Sequence, residues 1–134
     1  MPDRIFLDTS FVIALINERD QYHRQAEALS YKFEHSALIT TGAVLLEIGN
    51  ALAKDFRTEA AKVIKVLTSS TRIEVAEINA KLLDKGLAVY EKFADKNWGL
   101  VDCVSFVVMW EAKLTGVLTF DEDFSQAGFA VVVA

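Results

Sequence analysis

The sequence predicts an α/β fold, a three-layer sandwich in which helices flank a central, mainly parallel sheet. Short apolar segments alternate with longer amphipathic ones, as in proteins built from β–α–β units. The short segments are mostly apolar, which is typical of strands that are covered on both faces. No repeat, low-complexity segment or linker interrupts the chain, so we expect a single domain over residues 1–134.

Each element has its own signal in the sequence. Val44, Ile48 and Leu52 recur at helical spacing, which predicts a helix with one apolar face. The most apolar stretch long enough for a helix begins at Leu100. In chain order, we predict strands at residues 5–7, 37–40, 72–75, 116–119 and 130–133, and helices at residues 10–16, 21–33, 43–54, 59–67, 80–93 and 100–114.

Composition and charge indicate a globular domain and limit how it could bind nucleic acid. The chain is 52% hydrophobic and 25% charged, which is typical of a globular domain. Its single cysteine excludes an internal disulfide and agrees with a reducing, cytoplasmic setting. We expect neither a signal peptide nor a membrane-spanning segment. The net charge of −5 means that a nucleic-acid-binding role would need a metal ion, a basic patch or a partner protein to offset it.

Two acidic residues come just after predicted strands. Asp8 ends the run Ile5–Leu7, and Asp121 follows the strand that ends at Thr119. Each can alternatively be explained as a cap of the helix or turn that comes next, and this is the simpler explanation of Asp8 taken alone. Because the carboxyl ends of parallel strands meet at one edge of the sheet, where ligands bind in such folds, the pair also predicts a functional site.

Two further acids lie in otherwise apolar helices. Glu47 lies within GAVLLEIGNAL, and Asp102 within WGLVDCVSFVVMW. Glu47 is explained alternatively by a narrow polar stripe, and Asp102 by the favourable helix dipole of a first turn. If all four acids converge, their like charges require a cation, and carboxylate oxygens favour Mg²⁺ or Mn²⁺. No set of histidines and cysteines suggests zinc.

The order and spacing of four segments resemble the PIN-domain family, and especially its VapC-type toxin ribonucleases. These segments are LDTSFVIAL, LLEIGNAL, LVDCVSF and VLTFDEDFSQAGF, and together they span essentially the whole chain. The resemblance implies a PIN-like α/β sandwich and an acidic, catalytic Mg²⁺ or Mn²⁺ site formed by Asp8, Glu47, Asp102 and Asp121.

The resemblance also implies supporting residues around those acids. Thr9 or Ser10 matches the small polar residue after the first acid, and Thr119 matches the threonine before the last one. Asn50 shares a helix face with Glu47, where a local hydrogen bond is the alternative role. Two acids complete the set of candidates: Asp123, which could replace Asp121, and Asp95, for which a solvated loop position is the alternative.

Several residues are candidates for contacts with RNA. Basic side chains could bind phosphates beside the acids, although an ordinary solvated helix face explains them slightly better. Trp98 could stack on a base, with packing as its alternative role, whereas Trp110 is expected in the core. The basic candidates are Lys54, Arg57, Lys62, Lys65 and Arg72.

The resemblance implies metal-dependent hydrolysis of phosphodiester bonds in RNA, leaving a 5′-phosphate and a 3′-hydroxyl. It also implies a small antitoxin partner, a homodimer and membership of a type II toxin–antitoxin pair. Three other interpretations stay open at this point. They are an RNA-processing nuclease without an antitoxin, a nucleic-acid-binding module with an inactive site, and an α/β protein whose acids are only caps.

Overall fold

The computed structural model describes residues 4–132, which form a five-stranded sheet and seven helices. The strands are β1 (Ile5–Leu7), β2 (Leu38–Thr41), β3 (Ile73–Ala76), β4 (Gly116–Leu118) and β5 (Ala130–Val131). The helices are α1 (Thr9–Ile16), α2 (His23–Lys32), α3 (Gly42–Ala51), α4 (Arg57–Ser69), α5 (Ala80–Lys92), α6 (Leu100–Glu111) and α7 (Asp123–Gln126).

The sheet has the order β3-β2-β1-β4-β5, and every pair of neighbouring strands is parallel. The first strand lies in the middle, with Phe6 beside Ile39 of β2 on one side and beside Val117 of β4 on the other. After β1, the chain adds β2 and then β3 on one side of it. It then crosses back and adds β4 and β5 on the other side. In such sheets the reversal point, here between β1 and β4, leaves a crevice at the carboxyl edge.

The helices form two groups, one on each face of the sheet. Helix α1 contacts both α2 and α3, α3 contacts α4, and α6 packs against both α5 and α7. Right-handed crossovers place these two groups on opposite faces of a parallel sheet. The core between the layers includes fully buried Phe6, Phe106 and Phe124. The predicted three-layer α/β sandwich with a parallel sheet is thereby confirmed.

The helix boundaries differ from the prediction where the backbone turns. Helix α3 ends at Ala51 rather than at residue 54, because the chain turns before α4 begins at Arg57. Helix α6 ends at Glu111 rather than at residue 114, because Lys113 adopts a left-handed conformation with φ of 57°. Helix α7 was not predicted, since four residues show no periodicity. Residue 133 of the last predicted strand lies outside the described residues.

Helices α5 and α6 cross closely at Gly86. A Cβ atom at this position would lie 2.5 Å from Cγ2 of Val104 and 3.2 Å from its Cα atom. Glycine is therefore required by close packing rather than by backbone conformation. The crossing fixes the position of α6, the helix that carries Asp102 two residues before Val104.

Two surface features complete the description. The prediction that Trp110 lies in the core was wrong, because its side chain is 44% exposed although its ring contacts Phe106 and Phe129. This residue lies in the last turn of α6, where one side of the helix faces solvent. Within residues 4–132, no helix combines the length and the apolar character that crossing a bilayer requires.

Candidate active site

Asp8 lies at the centre of a hydrogen-bonded cluster at the carboxyl edge of β1. Its Oδ2 atom accepts hydrogen bonds from Oγ1 of Thr119 (2.7 Å) and Oγ of Ser10 (2.9 Å), and the carboxylate is 2% exposed. The N–H of Phe120 donates to Ser10 Oγ, and the N–H of Asp121 donates to Thr119 Oγ1, both at 2.9 Å. These bonds join the start of α1 to the segment that follows β4.

Asp8 is also the N-cap of α1, because its Oδ2 atom accepts a longer bond of 3.4 Å from the N–H of Ser10. The two explanations offered for this residue by the sequence are therefore compatible. The cap fixes the side chain, and the hydroxyl groups of Ser10 and Thr119 bond to the same oxygen atom. The result is a carboxylate with one oriented oxygen and little freedom to move.

Three acids converge beside this cluster. Asp102, Asp121 and Asp123 each offer a carboxylate oxygen, and these oxygens all lie within 4.8 Å of one another. Asp102 comes from the first turn of α6, and Asp123 from the first turn of α7. The N–H of Asp123 donates to Oδ1 of Asp121 at 2.9 Å, which fixes the spacing between those two acids. The sequence presented Asp123 as a replacement for Asp121, but the structure brings both to the same place.

Glu47 approaches from α3 and is held by a different hydroxyl group. Oγ1 of the buried Thr9 donates a hydrogen bond of 2.6 Å to Oε1 of Glu47. Adjacent residues at the start of α1 therefore serve two acids, since Thr9 contacts Glu47 and Ser10 contacts Asp8. The sequence suggested one supporting hydroxyl at this point, and the structure assigns separate contacts to both.

The pKa values of three acids in the site are raised by burial and by neighbouring negative charges. Burial, the largest cause, and the negative charges of Asp8 and Asp121 together raise the pKa of Asp102 to about 8. Burial also raises the pKa of Asp8, although hydrogen bonds from Thr119 and Ser10 oppose this effect. The pKa of Asp123 is raised by burial too, while a hydrogen bond with Asp102 lowers it. The site therefore disfavours its full negative charge unless a cation is present.

The raised pKa of Asp102 predicts how stability depends on pH. The ordinary pKa is 3.8, so between about pH 4 and 8 the folded protein holds a proton that the unfolded chain releases. Stability without metal should therefore fall as pH rises through this window. We expect the melting temperature in EDTA to drop by roughly 5 °C between pH 5.5 and 8.5, as measured by differential scanning fluorimetry.

The control for this pH experiment is Asp102→Asn, which cannot titrate. We expect a smaller drop for this variant, and we expect Mg²⁺ or Mn²⁺ to raise the melting temperature of the unaltered protein more at pH 8.5 than at pH 5.5. An equal drop in both proteins would show that other groups cause the dependence.

Two of the predicted supporting residues lie at the surface. Asn50 is exposed on α3, and no described contact joins it to the acids. The side chain of Asp95 is 74% exposed and lies 3.9 Å from Nζ of Lys96, which is the solvated loop position that the sequence offered as an alternative. The placement of Asp95 gives no support to a role at the metal.

Trp98 is buried, so its predicted stacking on a base finds no support. It is 6% exposed, its ring contacts Phe93 and Phe106, and its Nε1–H donates to Oε1 of Gln126 at 3.1 Å. Packing is therefore the role that the structure shows. Because Gln126 ends α7, the hydrogen bond links the loop before α6 to the helix that carries Asp123.

The predicted basic residues are exposed but do not gather around the acids. Arg72 precedes β3 at the amino edge of the sheet, opposite the acids, and donates to the carbonyl of Ser36 at 2.8 Å. This position gives no support to the predicted contact with phosphates beside the acids. Lys62 lines an apolar cleft together with Arg72. The described contacts do not connect Lys54, Arg57 or Lys65 with the acids, and their RNA contacts stay predictions.

An aromatic pair beside the acids was missed by the sequence analysis. The rings of Tyr22 and Phe120 stack with their centroids 4.6 Å apart and an angle of 3° between their planes. Phe120 lies between Thr119 and Asp121 in sequence, and this position could have indicated an aromatic ring beside the acids. Tyr22 comes from the start of α2 and gave none.

The donor set fits a hard divalent cation. Its members are carboxylate oxygens from separate elements, they lie close together, and their mutual repulsion is relieved by positive charge. Such a cluster can hold a metal ion, orient a water molecule and neutralise an anionic substrate.

Comparisons with known proteins agree with this geometry. The sequence model of the PIN domain matches residues 5–130. The chain is 31% identical over 128 residues to the 23S rRNA-specific endonuclease VapC20 of Mycobacterium tuberculosis, covering 96% of this chain and 97% of that protein.

Two solved structures share the fold. The crystal structure of M. tuberculosis VapC20, described as a Sarcin-Ricin loop cleaving toxin, matches with a TM-score of 0.88 and 30% identity over 97% of this chain and 99% of that one. The structure of VapBC2 from Rickettsia felis, bound to a DNA fragment from their promoter, matches with a TM-score of 0.68 and 13% identity over 96% of both chains. At that lower identity the likeness concerns the fold alone.

Proposed function

The chain belongs to the PIN-domain family and, within it, to the VapC-type toxin endoribonucleases, and from this premise we propose that it hydrolyses RNA with the help of Mg²⁺ or Mn²⁺. The observation that carries the proposal is the convergence of Asp102, Asp121 and Asp123 next to the buried Asp8. These acids lie at the carboxyl edge, where the strand order reverses and where ligands bind in such sheets.

We assign the metal to the three converging acids, with Asp8 and Glu47 completing the negative site around it. A bound divalent cation would lower the pKa of a water molecule and offset the charge of a phosphate. Asp8 is suited to a fixed role, because Ser10 and Thr119 both hold its Oδ2 atom. Until a cation is bound, the negative charges of the carboxylates also repel the negatively charged phosphates of RNA.

The substrate that we propose is an unpaired loop of structured RNA. VapC20 is named as specific for 23S rRNA and described as cleaving the Sarcin-Ricin loop, and this chain resembles it over nearly its full length. Loops expose bases and backbone that an open cleft can contact, whereas an A-form duplex does not. The same loop is therefore the first substrate to test here.

The experiment is a cleavage assay on a hairpin RNA that carries the Sarcin-Ricin loop, next to an unstructured RNA of mixed sequence. Purified chain, freed of any partner, should cut the hairpin in Mg²⁺ or Mn²⁺, and EDTA should abolish cutting. Products should carry a 5′-phosphate, which a phosphate-dependent exonuclease detects. A folded chain that cuts neither RNA in either metal would favour the alternative, a nucleic-acid-binding module with an inactive site.

We further propose that a small antitoxin covers the apolar cleft between α1, α2 and α4. The cleft has a volume of about 330 Å³, and its walls include Phe11, Phe33 and Val63. Val66 is 60% exposed and extends the apolar lining of this cleft to the surface, and contiguous apolar surface of this kind marks interaction sites. An amphipathic helix from the partner would bury this surface.

Replacing Val66 with aspartate should weaken capture of the antitoxin without reducing RNA cleavage. The reason is that a charge in the cleft opposes burial of an apolar partner but lies away from the acids. Co-purification with the small protein encoded upstream measures capture, and the hairpin assay measures cleavage. Unchanged capture by the variant would rule out this cleft as the main contact, and a missing upstream gene would favour an RNA-processing nuclease without an antitoxin.

Two broader expectations also remain proposals. We propose a homodimer that uses α5, where Leu83, Leu87 and Tyr90 form an apolar stripe and are each more than 40% exposed. Light scattering at several concentrations tests it. We also propose that the protein works in the cytoplasm, where its RNA substrate occurs and where a lone buried cysteine stays reduced.

A further inference from the structure

A cleft of about 510 Å³ opens beside the acids, and nothing in the mechanism above uses it. Its lining includes Ser10 and Asp121, which both belong to the site, and continues across Phe120 to Tyr22. A group bound in this cleft would therefore lie next to a group held at the acids. Its volume is within the range of pockets for small molecules, and a single nucleobase is smaller than that.

The floor of the cleft is an aromatic stack with a fixed position. Tyr22 lies almost parallel to Phe120 at 4.6 Å, and Phe120 also contacts the buried Phe11 at 6.0 Å. Tyr22 is held through its backbone, because its N–H donates to Oδ1 of Asp20 at 2.8 Å and its carbonyl accepts from Ala26 at 2.9 Å. Tyr22 is half-buried, so the stack ends at a ring that solvent still reaches.

The polar groups of the cleft suit a base better than a phosphate. Asp20, Asp121 and Glu122 all line it, and their carboxylates would repel a phosphate that is not neutralised. The same carboxylates accept hydrogen bonds from amino and imino groups. A planar, neutral ring with N–H groups at its edge satisfies both the aromatic floor and the acidic rim.

We propose that this cleft is a nucleobase pocket that receives an unpaired base adjacent to the scissile phosphate of the RNA substrate. The base stacks on Tyr22 and donates an exocyclic amino hydrogen to Asp20. The inference rests on the proposed ribonuclease function and adds a determinant of substrate choice to it. Stacking on an aromatic side chain is a general means of binding unpaired bases.

The acidic rim also predicts which bases are preferred. Adenine, cytosine and guanine each carry an exocyclic amino group that can donate to Asp20. Uracil has one N–H between two carbonyl oxygens, and those oxygens would face a carboxylate. Uracil should therefore be the least favourable base at the pocket position.

The test has a binding arm and a cleavage arm. The binding arm scans 2-aminopurine, a fluorescent base that stacking quenches, through both RNAs in Ca²⁺, with the full-length chain. We expect strong quenching at one position in the unaltered protein and in Tyr22→Phe, and its loss in Tyr22→Leu. Tyr31→Leu is the matched control, because Tyr31 is 74% exposed and lies outside the cleft.

The cleavage arm compares intact RNA with RNA that is abasic at the quenched position. On intact RNA, Tyr22→Leu should lower kcat/KM by about 10- to 100-fold, which corresponds to loss of one stacked base. On abasic RNA the same substitution should have little further effect. An equal loss on both RNAs would indicate a structural role for Tyr22 and would overturn the proposal, as would quenching that survives in Tyr22→Leu.

The outcomes separate this inference from the proposed function. If the unaltered chain cuts no RNA, the function fails, and position-specific quenching still decides whether the pocket holds a base. If Tyr22→Leu does not fold, Asp20→Asn takes its place, since asparagine keeps an oxygen for the Tyr22 N–H. That variant should reduce the preference for adenine over uracil at the pocket position, and an unchanged preference would overturn the proposal.

Discussion

Replacing Asp102 with asparagine should lower kcat/KM for RNA cleavage by roughly a thousand-fold while making the metal-free protein more stable at pH 8. The loss follows because Asp102 contributes one of three carboxylate oxygens that lie within 4.8 Å of one another, and an amide binds a divalent cation far more weakly. The gain follows because burial and the charge of Asp8 disfavour its ionised form. The two effects have opposite signs.

A loss of activity together with a gain in stability would show that Asp102 serves the reaction rather than the fold. Cleavage of the hairpin RNA and thermal melting in EDTA measure the two effects on the same preparation. Asp84→Asn is the matched control, since Asp84 is exposed on α5 and should leave both quantities nearly unchanged. If Asp102→Asn kept its activity, the metal would have to be held elsewhere.

Replacing Gly86 with alanine should destabilise the protein by about 1–3 kcal/mol, although alanine ordinarily stabilises a helix relative to glycine. The added Cβ would lie 2.5 Å from Cγ2 of Val104, and also 3.2 Å and 3.3 Å from its Cα and N atoms. A side chain can rotate away, but backbone atoms move only if the helix moves. Val104 is 2% exposed, so the core offers little space for either adjustment.

The helix that must move is the one that carries Asp102, so this substitution should also reduce cleavage from a distance. Urea unfolding measures the free energy of unfolding, and the hairpin assay measures activity. Gly49→Ala is the matched control, because a Cβ there meets only Ile64 Cδ1 at 3.8 Å and should stabilise α3 by about 0.5–1 kcal/mol. A Gly86→Ala protein as stable as the unaltered one would contradict the close crossing.

The sequence predicted the fold well because the strands are apolar and alternate with helices. It also located Asp8 and Asp121, since a parallel sheet brings the ends of its strands to one edge. The rule that parallel strands end at one edge of the sheet requires no knowledge of side-chain geometry. That is why the fold and this edge could be predicted, whereas the contacts within the edge could not.

What could not be predicted depends on packing between distant segments. Thr9 contacts Glu47 because of the orientation of α1 relative to α3, and the contacts of Ser10 with Thr119 and Phe120 depend on the position of α1 beside the end of β4. Asp123 lies beside Asp121 because its N–H, at the start of α7, donates to Asp121 Oδ1, and α7 is too short to show a helical period in the sequence. Trp98 is near the site in sequence, yet the packing of α5, α6 and α7 buries its ring.

The hydrogen bond between Thr119 and Asp8 spans 111 residues of sequence and has a consequence for protein synthesis. During synthesis β1, Asp8 and the neighbouring strand β2 precede β4, the other neighbour of β1, and the acids Asp102, Asp121 and Asp123 by many residues. A nascent chain therefore carries no assembled nuclease for most of its translation. The acidic site can form only when β4 has emerged and has paired with β1.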